Sequence, residues 1–227
     1  MLNILFRRAA IEISFFKNKE RLLYTIDPLM RSLSKKYDDI DIYLDFFISA
    51  RKKLSLPTQV PVKLWKNIRF GNHYKTIKRK LLNSLADYSG NGLLKTDIFL
   101  YDYNYRGFPA RVEFHFYEKK LFYIECNLGD LAYENRQELL EEIKGQYKVQ
   151  LMETEIQKIS DPTGHILSIE NGTDFKIIMA DIGNTFFTEL SNIEIFYNKK
   201  QSLDKSGAAV HQPKNQSKVF TEVKNTG

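Results

Sequence analysis

Glu113, His115 and Glu125 are the residues of this chain whose types and spacing could do acid–base or metal chemistry. Val112, Phe114 and Phe116 alternate with Glu113 and His115, Glu118-Lys119-Lys120 turns the chain, and Phe122, Ile124 and Cys126 resume the period of two. Keeping both apolar sets on one face asks for a three-residue loop, Glu118 to Lys120, with Phe116 opposite Phe122, Phe114 opposite Ile124 and Val112 opposite Cys126. The other face then sets Arg111 opposite Asn127, Glu113 opposite Glu125 and His115 opposite Tyr123. Two ionised carboxylates directly opposite each other repel, so something must relieve them. Either Arg111 and His115 neutralise them on a wet sheet surface, or the pair shares a proton with one pKa raised, or it holds a hard cation. Two carboxylates and one histidine fall short of a ligand motif, and the first solution is preferred. No metal and no cofactor is expected, and the chain reads as a non-enzyme.

The elements that must position these residues form an α+β fold of antiparallel sheets packed against amphipathic helices. Strands are expected at 97–103, 110–117, 121–128, 149–157, 165–169, 175–180 and 193–197, joined mostly by short turns. A helix from about Ala132 to Tyr147 carries Leu139, Leu140, Ile143 and Tyr147 on one side. Another runs from 74 to 88, capped by Asn72, with Tyr74, Ile77, Leu81, Leu85 and Tyr88 as its stripe and Gly90-Asn91-Gly92 after its end. Gly90-Asn91-Gly92 is a helix stop and not a phosphate cradle, because it follows a helix and not a strand.

The N-terminal part repeats this local plan. Ile11, Ile13 and Phe15 alternate, Lys17-Asn18-Lys19-Glu20 turns, and Leu22, Tyr24 and Ile26 resume the period. Asp27-Pro28 then starts a helix bearing Leu29, Met30, Leu33 and Tyr37, and Ile40, Ile42, Leu44, Phe46 and Ile48 alternate as a further strand, a reading preferred to the helical one. Two related halves are one explanation, convergence on a common arrangement the other. The organisation expected is an N-terminal hairpin, helix and strand unit over 1–56, a proline-containing linker over 57–64, a helix-plus-sheet module over 65–199 and a disordered tail over 200–227.

Charge is segregated along the chain. Between Phe46 and Ala86 there is no acidic residue, while Arg51, Lys52, Lys53, Lys63, Lys66, Arg69, Lys75, Lys78, Arg79 and Lys80 are all basic. The net charge of the whole chain is only +6, so the remainder is net acidic. On the helix after Asn72, Lys75, Lys78, Arg79 and Lys80 project together and could meet phosphates, an acidic partner or another copy of the chain. The alternative is a solvated helix face, and no helix-turn-helix, zinc-finger or RNP motif accompanies the cluster. Tyr117 and Tyr123, on the face that carries the glutamates, are the other candidate partner-binding residues. Either the N-terminal unit covers that face or it is an aromatic patch open to a protein, and the covered reading is preferred.

Composition narrows the class. With 227 residues, 43% hydrophobic, 16 Phe and 13 Tyr, the chain can bury a substantial core. Mean hydropathy is −0.40 and no apolar run approaches membrane-spanning length. Met1 to Phe6 is too short for a signal core and is followed by Arg7-Arg8, which points to the cytoplasm. Cys126, the one cysteine, excludes an internal disulfide framework and reads as a small buried hydrophobe.

Trp65-Lys66-Asn67-Ile68-Arg69-Phe70-Gly71 before an amphipathic helix, then Gly107-Phe108-Pro109-Ala110-Arg111-Val112-Glu113-Phe114 and Lys120-Leu121-Phe122-Tyr123-Ile124, resembles the beta-lactamase-inhibitor-like module. It is also similar to the small outer-membrane lipoproteins of the SmpA/OmlA group. The resemblance spans about Trp65 to Leu128, and it implies a helix on an antiparallel sheet that binds another protein without catalysis. No site residue carries over from it. The function expected is therefore a non-enzymatic protein-binding module, inhibitor- or immunity-like, with binding of a nucleic acid or anionic surface through the basic 51–80 segment as the alternative.

Overall fold

The computed structural model describes residues 28–37, 40–52, 55–63, 67–81, 84–90, 94–151 and 156–195. The N-terminal hairpin expected over 11–26 and the tail expected over 200–227 lie outside them. By its contacts the chain divides into Met1–Leu190 and Ser191–Gly227. Of the second unit, residues 191–195 are described and are helical.

Helix α1 covers 28–37 and α2 is Asp41–Lys52. Strand β1 (Leu56–Pro57) precedes α3 (Tyr74–Leu81), β2 (Ala86–Ser89), β3 (Thr96–Tyr105), β4 (Phe108–Tyr117) and β5 (Lys120–Asn127). Then come α4 (Tyr133–Tyr147), β6 (Ile156–Ser160), β7 (His165–Asn171), β8 (Phe175–Asp181) and α5 over 185–195. The strands form one 8-stranded sheet in the order β1-β6-β7-β8-β5-β4-β3-β2. Only β1 runs parallel to its neighbour. Two antiparallel meanders, β2–β5 and β6–β8, meet where β5 pairs with β8, and α4 carries the chain from one to the other. The expected α+β class is what is found.

Both faces of the sheet are covered. One face buries Phe99, Val112, Phe114, Phe116, Ile124 and Cys126 beneath Ile77 of α3 and Leu139, Leu140, Ile143 and Tyr147 of α4. This is the apolar set of the strand alternation, and its burial supplies the main hydrophobic drive of this half. The opposite face carries Glu113, His115, Tyr123 and Glu125 and lies beneath α1, α2 and the start of α5. There Phe186 stacks on Phe122 with centroids 4.2 Å apart, and Tyr43 and Phe46 meet Tyr123 edge-on at 5.5 Å each.

Several expectations change. Of residues 40–48, read as a strand, 41–48 are helical within α2 and Ile40 lies just ahead of it. Tyr43, Phe46 and Phe47 recur at helical spacing, and as a helix they bury together on the sheet, which the alternating arrangement would not allow. The helix expected over 74–88 ends at Leu81, and Ala86–Ser89 becomes an edge strand whose ladder is extended by Leu85 N–H donating to the Leu100 carbonyl. Asn72 does not cap α3: its side chain accepts from Arg69 N–H at 3.0 Å, and His73 Nδ1 accepts from Lys75 N–H at 3.2 Å. Residues 193–195 belong to α5 and not to a strand; Asn184 Oδ1 accepts from Phe186 N–H at that helix's start, and Phe186, Phe187 and Leu190 are fully buried. The strand expected over 149–157 begins at Ile156, with Val149 and Leu151 buried ahead of it.

The stretch expected as a linker, 57–64, is built into the sheet as far as it is described. Leu56 and Pro57 pair with Ile159 and Ser160, Thr58 Oγ1 donates to the Tyr147 carbonyl at 2.6 Å, and Val62 N–H donates to Asp161 Oδ2 at 2.9 Å. The two parts on either side of it therefore share one unit.

The register of β4 on β5 follows the alternation over most of its length. Arg111↔Asn127, Val112↔Cys126, Glu113↔Glu125, Phe114↔Ile124 and His115↔Tyr123 all pair as deduced. The loop differs. It has two residues, Glu118 (φ 48°) and Lys119 (φ 66°), both left-handed, so Tyr117 pairs with Lys120 and Phe116 with Leu121. A two-residue turn of this hand matches the twist of the strands, and the odd residue is absorbed as a bulge. The bulge places Leu121 in the apolar cluster beneath α3 and turns Phe122 to the other face, against Phe186.

Candidate functional site

The sheet face that carries Glu113 and Glu125 is buried and not wet. Glu113 is 8% exposed and Glu125 4%. The charge that relieves their apposition comes from α1. Lys36 Nζ lies 2.7 Å from Glu125 Oε1 and 3.2 Å from Glu113 Oε2, and the Tyr37 hydroxyl donates to Glu113 Oε2 and, at 3.1 Å, to Glu125 Oε2. Arg111, expected to help, stands in the solvent beside Asp102 at 3.7 Å. Lys36 and Tyr37 are adjacent at the end of the helix opened by Pro28, so one turn of α1 delivers both to the carboxylates.

His115 is fully buried among rings, 4.6 Å from Tyr37 and 4.8 Å from Tyr123 by centroid. Its Nδ1 is 2.7 Å from the Tyr43 hydroxyl of α2. With that hydroxyl donating, the ring proton sits on Nε2, which faces Glu113 Oε2 at 3.5 Å and makes no hydrogen bond. Burial depresses the His115 pKa more than Glu113 restores it, so the ring is neutral.

The electrostatics follow from these contacts. Burial alone would push the Glu113 carboxyl up, but His115, Lys36 and Tyr37 more than offset it and hold it down to about 2. Burial works against the Lys36 ammonium, yet Glu125 and Glu113 leave it raised and firmly charged. Burial, with the two glutamates behind it, keeps Tyr37 and Tyr123 well above the usual phenol range. Lys36, His115 and Glu113 are each engaged by neighbouring side chains. The cluster works as a clamp between α1 and the sheet. Among the described residues no group of three or more His, Cys, Asp or Glu side chains could hold a metal ion. Burial pushes the Cys126 thiol up to about 12, which leaves it unreactive.

The two tyrosines expected to meet a partner are engaged internally. Tyr123 is 1% exposed, and half-buried Tyr117 donates its hydroxyl to Glu189 of α5 at 2.6 Å. The face is closed by α1, α2 and α5, the covered arrangement that the sequence favoured.

The basic segment is divided by the fold. Arg51 lies on α2, over the Phe47 ring, on one side of the sheet, while Lys75, Lys78, Arg79 and Lys80 lie on α3, on the other. Lys78 pairs with Asp87 and covers the Phe99 ring, and Lys80 donates to the Asn67 carbonyl. Lys75 and Arg79, one turn apart, are exposed. The fold adds two cations that the sequence reading left out. Gly71 N–H donates to the Leu121 carbonyl at 2.8 Å, Leu121 N–H to Asn72 at 2.9 Å and Tyr74 N–H to Lys119 at 3.0 Å. These bonds fix the β4–β5 turn against the start of α3, so exposed Lys119 and Lys120 join Arg69, Lys75, Arg79 and Lys80 at one corner. The signal for this was absent from local sequence, since the residues are some 40 or more positions apart and are joined by tertiary pairing, the bridge between His73 and Lys120 included.

Among the described residues no helix is long and apolar enough to cross a membrane. The chain matches no protein-family model, no curated protein and no solved structure. Of the residues that resemble the beta-lactamase-inhibitor-like module, Trp65 and Lys66 lie outside the described ones, Asn67–Gly71 lead into α3, Gly107–Phe114 turn into β4 and Lys120–Ile124 open β5.

Proposed function

We propose that this chain is a non-enzymatic binding module whose docking surface is the basic corner of α3 and the β4–β5 turn, and that its partner is a nucleic acid. The observation that carries this reading is the set of backbone bonds seating Lys119 and Lys120 beside Arg69, Lys75 and Arg79. Glu118 is the acidic residue in the same turn, and Asp87 is already paired with Lys78. A rigid, exposed cluster of cations on a helix and a tight turn suits a phosphate backbone, which rewards charge density over shape. The alternative of a protein docking on the sheet through Tyr117 and Tyr123 is disfavoured, because α1, α2 and α5 would have to leave first. The cytoplasm is the compartment that fits this partner.

The test is fluorescence anisotropy with labelled random-sequence duplex DNA and single-stranded RNA across a salt series. If about four phosphates are contacted, affinity for the duplex falls roughly 100-fold between about 50 and 200 mM salt. Absence of binding at low salt, or capture of an acidic protein with no affinity for either nucleic acid, overturns the reading.

A further inference from the structure

The basic corner carries a ring pair that no phosphate contact needs. His73 and Tyr74 stack with centroids 4.6 Å apart and planes 29° from parallel. Successive side chains diverge along a strand or within a helix. This stack falls where the chain passes from the bridge with Lys120 into α3. Tyr74 is the anchored member. It is partly buried against the apolar cluster, its ring 5.8 Å from Phe99 and 6.4 Å from Phe116, both near edge-on. His73 lies over it and is exposed, and among the described residues no second ring covers it, so the imidazole face away from Tyr74 is open to solvent. Lys75 N–H, donating to Nδ1 at 3.2 Å, holds the ring in place.

The first amides of α3 are engaged inside the protein: Tyr74 N–H on the Lys119 carbonyl, Lys75 N–H on His73 Nδ1 and Thr76 N–H on the His73 carbonyl. An anion here is therefore met by side chains, and exposed Lys75, Lys119 and Lys120 stand around the ring pair. Cations beside a rigid ring with one open face combine charge for a backbone with a platform for a base. Bases stacked inside a duplex do not reach such a platform, whereas an unpaired base does. Resting on the reading of this corner as a nucleic-acid surface, we infer that it takes single strands: one unpaired base stacks on His73 while the phosphates on either side of it meet Lys75, Lys119 and Lys120. Charge alone predicts the opposite order, because a duplex presents phosphates at about twice the density of a strand.

Anisotropy at low salt compares three ligands on the full chain: a mixed-sequence DNA strand of about 15 nucleotides, its duplex, and an abasic strand of the same length and charge. The base-bearing strand is expected to bind about fivefold or more tighter than either of the others, and to move the His73 ring-proton resonances upfield. His73→Asn keeps an acceptor for Lys75 N–H and removes the ring, so the preference for the base-bearing strand over the abasic one is lost. His73→Phe keeps the ring and loses the acceptor, so the preference stays. A role confined to capping α3 gives the reverse pattern. Equal binding of the base-bearing and abasic strands, a duplex bound as tightly as the strand, or a preference unchanged in folded His73→Asn overturns the inference and leaves the nucleic-acid reading standing. No binding of any of the three removes both. Should a variant fail to fold, the abasic comparison in the parent decides alone.

Discussion

Replacing Lys36 by Met removes the cation that bridges Glu113 and Glu125 among the described residues while keeping the length and helix preference of the side chain. Breaking a buried ion pair from one side costs about 3–5 kcal/mol, because the remaining charge stays buried without a partner. Here the lysine side chain is 29% exposed and the Tyr37 hydroxyl still serves both carboxylates, which lowers the expected loss to about 2–3 kcal/mol. For a domain of this size that is a fall in Tm of about 4–12 °C. Differential scanning fluorimetry and urea denaturation at neutral pH measure it. Adding Glu125→Gln to Lys36→Met recovers part of the loss, since one of the two facing charges is gone. The gap between Lys36→Met and the parent also narrows as pH falls from 4.5 towards 2, the window in which Glu113 takes up its proton. An unchanged Tm in the single variant, or a double variant that is simply additive, would refute the clamp.

Acid should destabilise the parent in a defined window. Glu113 is held down to about 2, so its contribution is complete above the ordinary carboxyl value of 4.5 and is lost as pH falls from there towards 2. The shift is worth about 3 kcal/mol. His115, depressed by burial, acts in the same direction from about pH 6.5 downwards, because the unfolded chain takes up a proton that the folded ring refuses; a stability curve that is flat from pH 7 to 3 contradicts both. Phe186→Ala empties the site stacked on Phe122 and should cost about 3–5 kcal/mol by urea denaturation. Cys126 should resist maleimide in the native state and react as the chain unfolds, a difference read directly by mass spectrometry.

The strands around the clamp were legible because alternation and register are local. Glu113 opposite Glu125 follows from keeping Val112 and Phe114 on the same face as Cys126 and Ile124. The bulge at Phe122 was not legible, since the alternation continues through it and only the left-handed turn at Glu118 and Lys119, together with Phe186 waiting on the far face, settles where that ring goes. Residues 40–48 fit two periods at once. Their helix is chosen by tertiary burial of Tyr43, Phe46 and Phe47, which no local preference encodes. Lys36 and Tyr37 escaped notice as site residues because they sit 76 to 89 positions from their carboxylates. The unpaired need of two facing glutamates was visible in sequence; the identity of what meets it was not. The basic cluster was visible as composition, but its division by the sheet and its enlargement by Lys119 and Lys120 are properties of the fold alone.

The corner where α3 meets the β4–β5 turn is the proposed docking surface. The most direct measurement is anisotropy of labelled duplex DNA titrated with the parent and with a Lys75→Glu, Arg79→Glu, Lys119→Glu variant at several salt concentrations, with Tm recorded alongside. The variant should melt as the parent does, because these side chains are exposed. It should bind more than tenfold more weakly, with a salt slope shallower by roughly 2–3. Equal affinity and equal slope in a folded variant would contradict the claim.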